Sequence, residues 1–169
     1  MYRLPSNDSR ARVAVWREVR RSGALHVQQS ILAVPDGEAF AGAVEAIRRV
    51  LADVGGQVTS LRAEAVIAGD DQRLLDAWNE ARNDEYRELV GECAKFLAEI
   101  AHEFQIEKFT LAELDEEEAE MDKLQRWHKR IQRLDIHAAA GASAAAQALR
   151  DAQAALDRYS TAVFEHTQQ

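Results

Sequence analysis

A single cysteine, Cys93, is all the thiol chemistry this chain carries. It can make no internal disulfide and cannot by itself build a thiolate metal cluster. Only two prolines occur in 169 residues, which argues against extended linkers. No long uncharged apolar run offers a membrane span, and no basic n-region leads into an apolar h-region at the start. These absences point to a soluble protein, most simply cytoplasmic, with no membrane partner. The five histidines, His26, His102, His128, His137 and His166, are scattered and show no HExxH or other ligand spacing. No serine, histidine and acid can be assembled into a triad, and no pair of buried carboxylates stands out. The expectation is a protein without catalytic residues, cofactor or metal.

Basic charge is scarce as well, 21 lysines and arginines against 29 acids, but it is unevenly placed. The first 35 residues hold six arginines, Arg3, Arg10, Arg12, Arg17, Arg20 and Arg21, against only Asp8 and Glu18, a net of +4. The other 134 residues carry −12. A basic island on an acidic chain marks a surface that meets an anion. Wound at 100° per residue, Arg10, Arg17 and Arg21 share a narrow arc, with Arg12 and Arg20 flanking an apolar stripe. Val13, Val15, Trp16 and Val19 form that stripe and are expected to pack on a sheet. Guanidinium groups on one exposed face suit phosphate oxygens, which they can bind bidentately, and such contacts hold double-stranded DNA without reading its sequence. The competing reading has these arginines pair with the acidic remainder of the chain, within one subunit or between two. No helix-turn-helix is recognisable, so a base-reading element is not predicted.

Two regimes of patterning meet near Gly69-Asp70-Asp71. The first alternates short strands with helices. Tyr2 to Leu4 reads as the end of a strand that looks cut short, stopped by Pro5. Ser6 or Asp8 can cap a helix that runs to Ser22 and closes at Gly23. Leu25 to Gln28 and Ile31 to Val34 read as strands with a tight connection. Phe40, Val44, Ile47, Leu51 and Val54 mark an amphipathic helix that ends at Gly55-Gly56. Val58 to Ile67 reads as a final strand, with Leu61, Ala63, Ala65 and Ile67 on one face. The order β-α-β-β-α-β predicts a ferredoxin-like sandwich over residues 1–68. From 69 to 169 the pattern is helical. Trp78, Tyr86, Leu89, Cys93, Phe96, Ile100 and Phe104 mark one long helix. Leu124, Trp127, Ile131 and Leu134 mark a second, and Leu149, Ala152, Leu156, Tyr159 and Val163 a third, with Gly141 between the last two. The fold expected is α+β, a ferredoxin-like half followed by a three-helix antiparallel half that packs beside it or pairs with a second subunit as a homodimer.

Three blocks resemble one family, the N-terminal domain of the ChrB chromate-resistance proteins. Tyr2-Arg3-Leu4-Pro5-Ser6 with Arg10 to Gly23 is similar to that family's opening. Ala81-Arg82-Asn83-Asp84-Glu85-Tyr86 is similar to its ARNDEY segment. Phe109-Thr110-Leu111-Ala112-Glu113-Leu114 followed by Lys123-Leu124-Gln125-Arg126-Trp127 is similar to a third. The resemblance implies a ChrB N-terminal domain standing alone, without the C-terminal chromate-resistance domain of full-length relatives. It also implies a DNA-facing regulator or accessory factor in resistance to chromate or a related oxyanion. A weaker resemblance, to the small ferredoxin-like subunit of the CRISPR spacer-acquisition complex, places Arg3 where that subunit has its proposed metal-binding aspartate. An arginine cannot ligate magnesium, so nuclease chemistry does not carry over.

The remaining polar features have plain expectations. Glu113, Asp115, Glu116, Glu117, Glu118, Glu120 and Asp122 read as a solvated helix start favoured by the helix dipole. Cys93, on an apolar stripe, reads as an inert buried thiol. Trp127 reads as packed, with solvated neighbours His128, Lys129 and Arg130; a small oxyanion pocket is the alternative there. Arg82 and Tyr86, one turn apart in the ARNDEY segment, are the candidates for an oxyanion effector. A network tying helix to sheet is the other reading of the same pair.

Overall fold

Where apolar residues recur every three or four positions the chain is helical, and where that rhythm fails it forms only short strands. The computed structural model describes residues 1–4 and 9–168. In chain order the elements are β1 (Tyr2–Arg3), α1 (Ser9–Ser22), β2 (Leu25–Gln28), β3 (Ile31–Ala33), a 3-10 turn (Glu38–Phe40) and α2 (Ala41–Asp53). These are followed by β4 (Gln57–Val58), α3 (Asp70–Gln105), α4 (Leu111–Leu134) and α5 (Ala142–Thr167). The chain is therefore mostly helical, with five α-helices and two small antiparallel sheets among the described residues. Among those residues no helix is long and apolar enough to cross a membrane. The expected cap at Ser6 or Asp8 lies outside the described residues.

Two compact units divide at Trp78/Asn79, inside α3 and later than the change in composition. The aromatic rings explain why Trp78 goes with the first unit. It is buried edge-on against Phe40, with centroids 5.2 Å apart.

The first unit has a small core. Val15 and Val19 of α1 meet Ile47 and Leu51 of α2, and Tyr2, Leu4, Leu32 and Val58 lean on them. β1 pairs with β4, Tyr2 opposite Val58, and β2 pairs with β3. A single hydrogen bond, from the Tyr2 backbone N–H to the Ser30 carbonyl at 2.8 Å, links β1 to the turn before β3.

Two expectations fail here. The strand predicted over Val58 to Ile67 stops at Val58. The antiparallel register puts Thr59 opposite Met1, and its N–H donates to the Met1 carbonyl at 2.9 Å. From Ser60 onward the segment pairs with no strand among the described residues, and an unpaired strand gains no ladder hydrogen bonds. Leu61, Val66 and Ile67 are consequently exposed. The apolar face assigned to α1 is also corrected: Val15 and Val19 are buried, whereas Val13 and Trp16 are exposed. Those four side chains span about 160° of the helix, wider than one packing stripe. The stripe actually buried is Ala11, Val15, Glu18, Val19 and Ser22.

The second unit packs α4, α5 and the part of α3 from Asn79 onward around one core. Leu89, Cys93, Phe96 and Ile100 of α3 meet Leu114, Met121, Leu124 and Ile131 of α4, together with Leu149, Leu156, Tyr159 and Val163 of α5. Hydrogen bonds set the directions. Tyr86, early in α3, bonds to Asp135 just past α4, and Asn83 bonds to Gly141 at the start of α5. Tyr159, late in α5, donates to the Lys108 carbonyl in the α3–α4 turn. α4 thus runs opposite to α3 and α5. Its start is a capping arrangement: the Thr110 hydroxyl oxygen accepts from the Glu113 backbone N–H at 3.3 Å. The acidic run that follows is not uniformly solvated as expected. Glu117 is 4% exposed, turned into the bundle rather than away from it.

Candidate nucleic-acid interface

Arginine and alanine are strong helix formers, and α1 (SRARVAVWREVRRS) contains seven of them. Its end is fixed by Gly23 at φ 68°, where a side chain would be strained. The Gly23 N–H donates to the Arg20 carbonyl at 3.2 Å, and the Ala24 N–H reaches the Val19 carbonyl at 3.1 Å. That pair of hydrogen bonds is the Schellman closure, and it leaves Arg20 and Arg21 in the last turn, where the helix dipole favours cations.

With one stripe buried, the rest of α1 is basic. Arg10, Arg17 and Arg21 form one exposed row. Arg12 and Arg20 stand on the adjacent face, one turn to either side of Trp16. The helix has one acid, Glu18, which is buried and accounted for locally. Its carboxylate pairs with Arg21 and accepts from the Ser22 hydroxyl at 3.2 Å. Arg21 keeps 69% of its side-chain surface exposed despite this pair. Among the described residues neither Arg12 nor Arg17 has a carboxylate partner.

Arg3 does not join this cluster. Along β1 the side chains alternate, and Tyr2 and Leu4 are the ones that lean on the α1–α2 core. Arg3 therefore sits on the opposite face of the strand from α1, exposed. Of the six arginines singled out, the fold brings together five.

One residue on this surface carried no functional expectation. Trp16 is 52% exposed, and the Arg20 guanidinium lies 5.2 Å from its ring centroid, a cation–π contact. The signal for it was available in the spacing Arg12, Trp16, Arg20, which stacks three side chains along one face of a helix.

Arg82 and Tyr86 lie elsewhere, in the second unit, and both are buried. The Arg82 guanidinium pairs with Glu85 at 3.2 Å, and the Tyr86 hydroxyl donates to Asp135 Oδ2 at 3.1 Å. Asp135 Oδ1 accepts from the Ala139 backbone N–H at 2.9 Å. Burial lowers the pKa of Arg82 against the pull of Glu85 and Asp135, and Arg130 adds to the lowering. Burial and the neighbouring Asp135 raise that of Tyr86. His128, whose ring centroid is 6.2 Å from that of Tyr86, is pushed down by burial and is neutral at pH 7. Trp127 is half-buried, as are His128 and Arg130, while Lys129 is exposed. The group forms a network that joins α3 to the end of α4. Cys93 is fully buried and its thiol is pushed up by burial, which suits an inert side chain. Among the described residues no three His, Cys, Asp or Glu side chains are grouped as metal ligands.

A family model described as "Protein ChrB, N-terminal" matches residues 12–169, nearly the whole chain. No curated protein and no solved structure matches it.

Proposed function

The chain belongs to the ChrB N-terminal family, and from that membership together with the arginine face of α1 we propose a non-enzymatic, DNA-associated regulator or accessory factor in resistance to chromate. The observation that carries the reading is the single basic helix of an acidic protein. Five of its side chains are exposed arginines, and its only carboxylate is turned inward and held by Arg21. The first unit is read as a frayed ferredoxin-like sheet. The β-α-β-β-α-β order, the β1–β4 pairing and the Tyr2 to Ser30 bond support this reading, although the strands are too short to close one continuous sheet.

The mechanism is phosphate neutralisation. Each guanidinium that replaces a condensed cation makes affinity fall as salt rises, with a slope of about −0.9 per phosphate contact on duplex DNA. The test is fluorescence anisotropy of a labelled duplex over a salt series. The wild-type chain is compared with Arg12→Ala/Arg17→Ala, which removes two arginines that hold no carboxylate among the described residues. Weaker binding together with a slope shallower by about two is the expected result. Binding that is indifferent to salt and to these substitutions refutes the reading, and the arginines are then docking residues for another protein. An oxyanion effector belongs to the same proposal at Arg82 and Tyr86. It is supported by the two mutually repelling guanidinium groups of Arg82 and Arg130 and by the buried Arg130 Nε and Trp127 Nε1, which have no hydrogen-bond partner among the described residues. Chromate added to the duplex complex should shift its midpoint, and Arg82→Gln should abolish that shift.

A further inference from the structure

We propose that the concavity beside Trp16 holds an unstacked nucleobase, so that the α1 surface prefers single-stranded over double-stranded nucleic acid. The proposal rests on the reading that the α1 arginines hold phosphates, and it adds what lies between them. A cleft of about 660 Å³ opens beside the indole, bordered by Tyr2, Arg12, Val13, His26 and Gln29. That volume is within the range of clefts that seat small molecules, about 300–1,000 Å³. Its walls combine aromatic and polar character in the way a base requires. Trp16 is half exposed, Tyr2 and His26 meet edge to face with centroids 6.5 Å apart, and the Gln29 amide supplies both donors and an acceptor at the rim. Among the described residues no carboxylate lines it.

The charge at this cleft identifies the occupant. Arg12 lines the cleft one helical turn before Trp16, and the Arg20 guanidinium lies 5.2 Å from the indole centroid, so a ring that enters the cleft beside the indole is near two cations. A base brings its own phosphates, which those cations can neutralise. An uncharged apolar side chain from a protein would gain nothing from those cations. In a duplex the faces of the bases are occupied by their neighbours, so only an unpaired strand can present one to a concave site. Exposure of Val13 beside Trp16 widens the apolar floor that such a base would cover.

Four labelled probes of equal length separate the terms: a mixed-sequence single strand, an abasic strand with the same phosphates, the corresponding duplex, and an acidic peptide. Anisotropy at one salt concentration should show the base-bearing strand bound about tenfold tighter than the abasic strand, and tighter than the duplex. Trp16→Ala should reduce the gap between base-bearing and abasic strands to within about twofold, and a salt series run on both chains should show the slope unchanged. Trp16→Phe, which keeps an aromatic face, should restore most of it. Far-ultraviolet circular dichroism of both variants checks the helix. Equal binding of the base-bearing and abasic strands by the wild-type chain overturns the proposal and leaves phosphate binding intact. A gap that survives Trp16→Ala, a preference for duplex, or tightest binding to the acidic peptide also overturns it. Binding to none of the nucleic acids overturns the phosphate-binding reading itself.

Discussion

Glu117→Gln should stabilise the protein at pH 8 and leave it almost unchanged at pH 5. Glu117 is 4% exposed on α4, and its carboxyl is raised to about 7 from an ordinary 4.5, first by burial and then by Glu99, Glu113, Glu103 and Glu120. Lys108, whose side chain is 45% exposed, is engaged by Glu113 at 2.5 Å and by Glu103 at 3.7 Å. Between pH 4.5 and 7 the folded protein holds a proton on Glu117 that the unfolded chain has released. Stability therefore falls as pH rises through that window and is flat, as far as this group is concerned, above it. At about 1.4 kcal/mol per pH unit the window corresponds to roughly 3 kcal/mol. Glutamine resembles the protonated acid and does not titrate. Urea unfolding at pH 5, 6, 7 and 8 should show variant and wild type within about 1 kcal/mol of each other at pH 5, with the variant ahead by about 3 kcal/mol at pH 8. Comparing the two chains at each pH cancels the titrating groups that do not interact with Glu117. A difference that does not change with pH, or a variant less stable at pH 8, would refute the reasoning. It would show that the Glu117 carboxylate has favourable partners when charged.

Three further outcomes are expected in the helical unit. Tyr86→Phe removes the hydroxyl bond to Asp135, which keeps its second bond from Ala139, so the urea midpoint should fall by the equivalent of about 1 kcal/mol. Gly141→Ala places a methyl 3.0 Å from Tyr86 Cβ and 3.4 Å from Asn83 Oδ1. Because both neighbours are anchored, and because Gly141 is the α5 N-cap, where alanine is disfavoured relative to glycine, a loss of about 1–3 kcal/mol should appear. Cys93 should react with a thiol reagent at neutral pH only as fast as the protein opens, so modification within seconds of mixing would contradict its burial.

Helices were legible in the sequence because their signal is redundant. The three-four repeat of Trp78, Tyr86, Leu89, Cys93 and Phe96 and the glycine after Ser22 each point to the same answer. The strands were legible only as a pattern. Leu61, Ala63, Ala65 and Ile67 alternate as a strand should, but alternation states a preference, and pairing needs a partner in register, which this segment does not have among the described residues. The position of Glu117 was illegible for a related reason. Its neighbours in sequence are acidic and mostly wet, and only the packing of α4 on α3 turns one member of the run inward. At the arginine helix the charge was plain, but its four large apolar residues span about 160° of arc, more than one packing stripe can bury, and the pattern does not say which of them stay outside.

That leftover separates fold from function on α1. If the arginines were there to stabilise the fold, removing them would cost stability roughly in proportion to their number. The structure predicts a sharp division instead. Arg17 touches no carboxylate among the described residues and sits among like charges, so Arg17→Ala should change stability by less than about 0.5 kcal/mol. Arg21 neutralises the buried Glu18, and Arg21→Ala leaves that carboxylate with the Ser22 hydroxyl as its side-chain partner, at a cost of about 1 kcal/mol, kept modest by the exposure of Arg21. Thermal unfolding of the two single variants distinguishes them. If both lose stability equally, the basic face is part of the scaffold. If only Arg21→Ala does, Arg17 contributes nothing the fold requires, which is what the proposed phosphate contact needs of it.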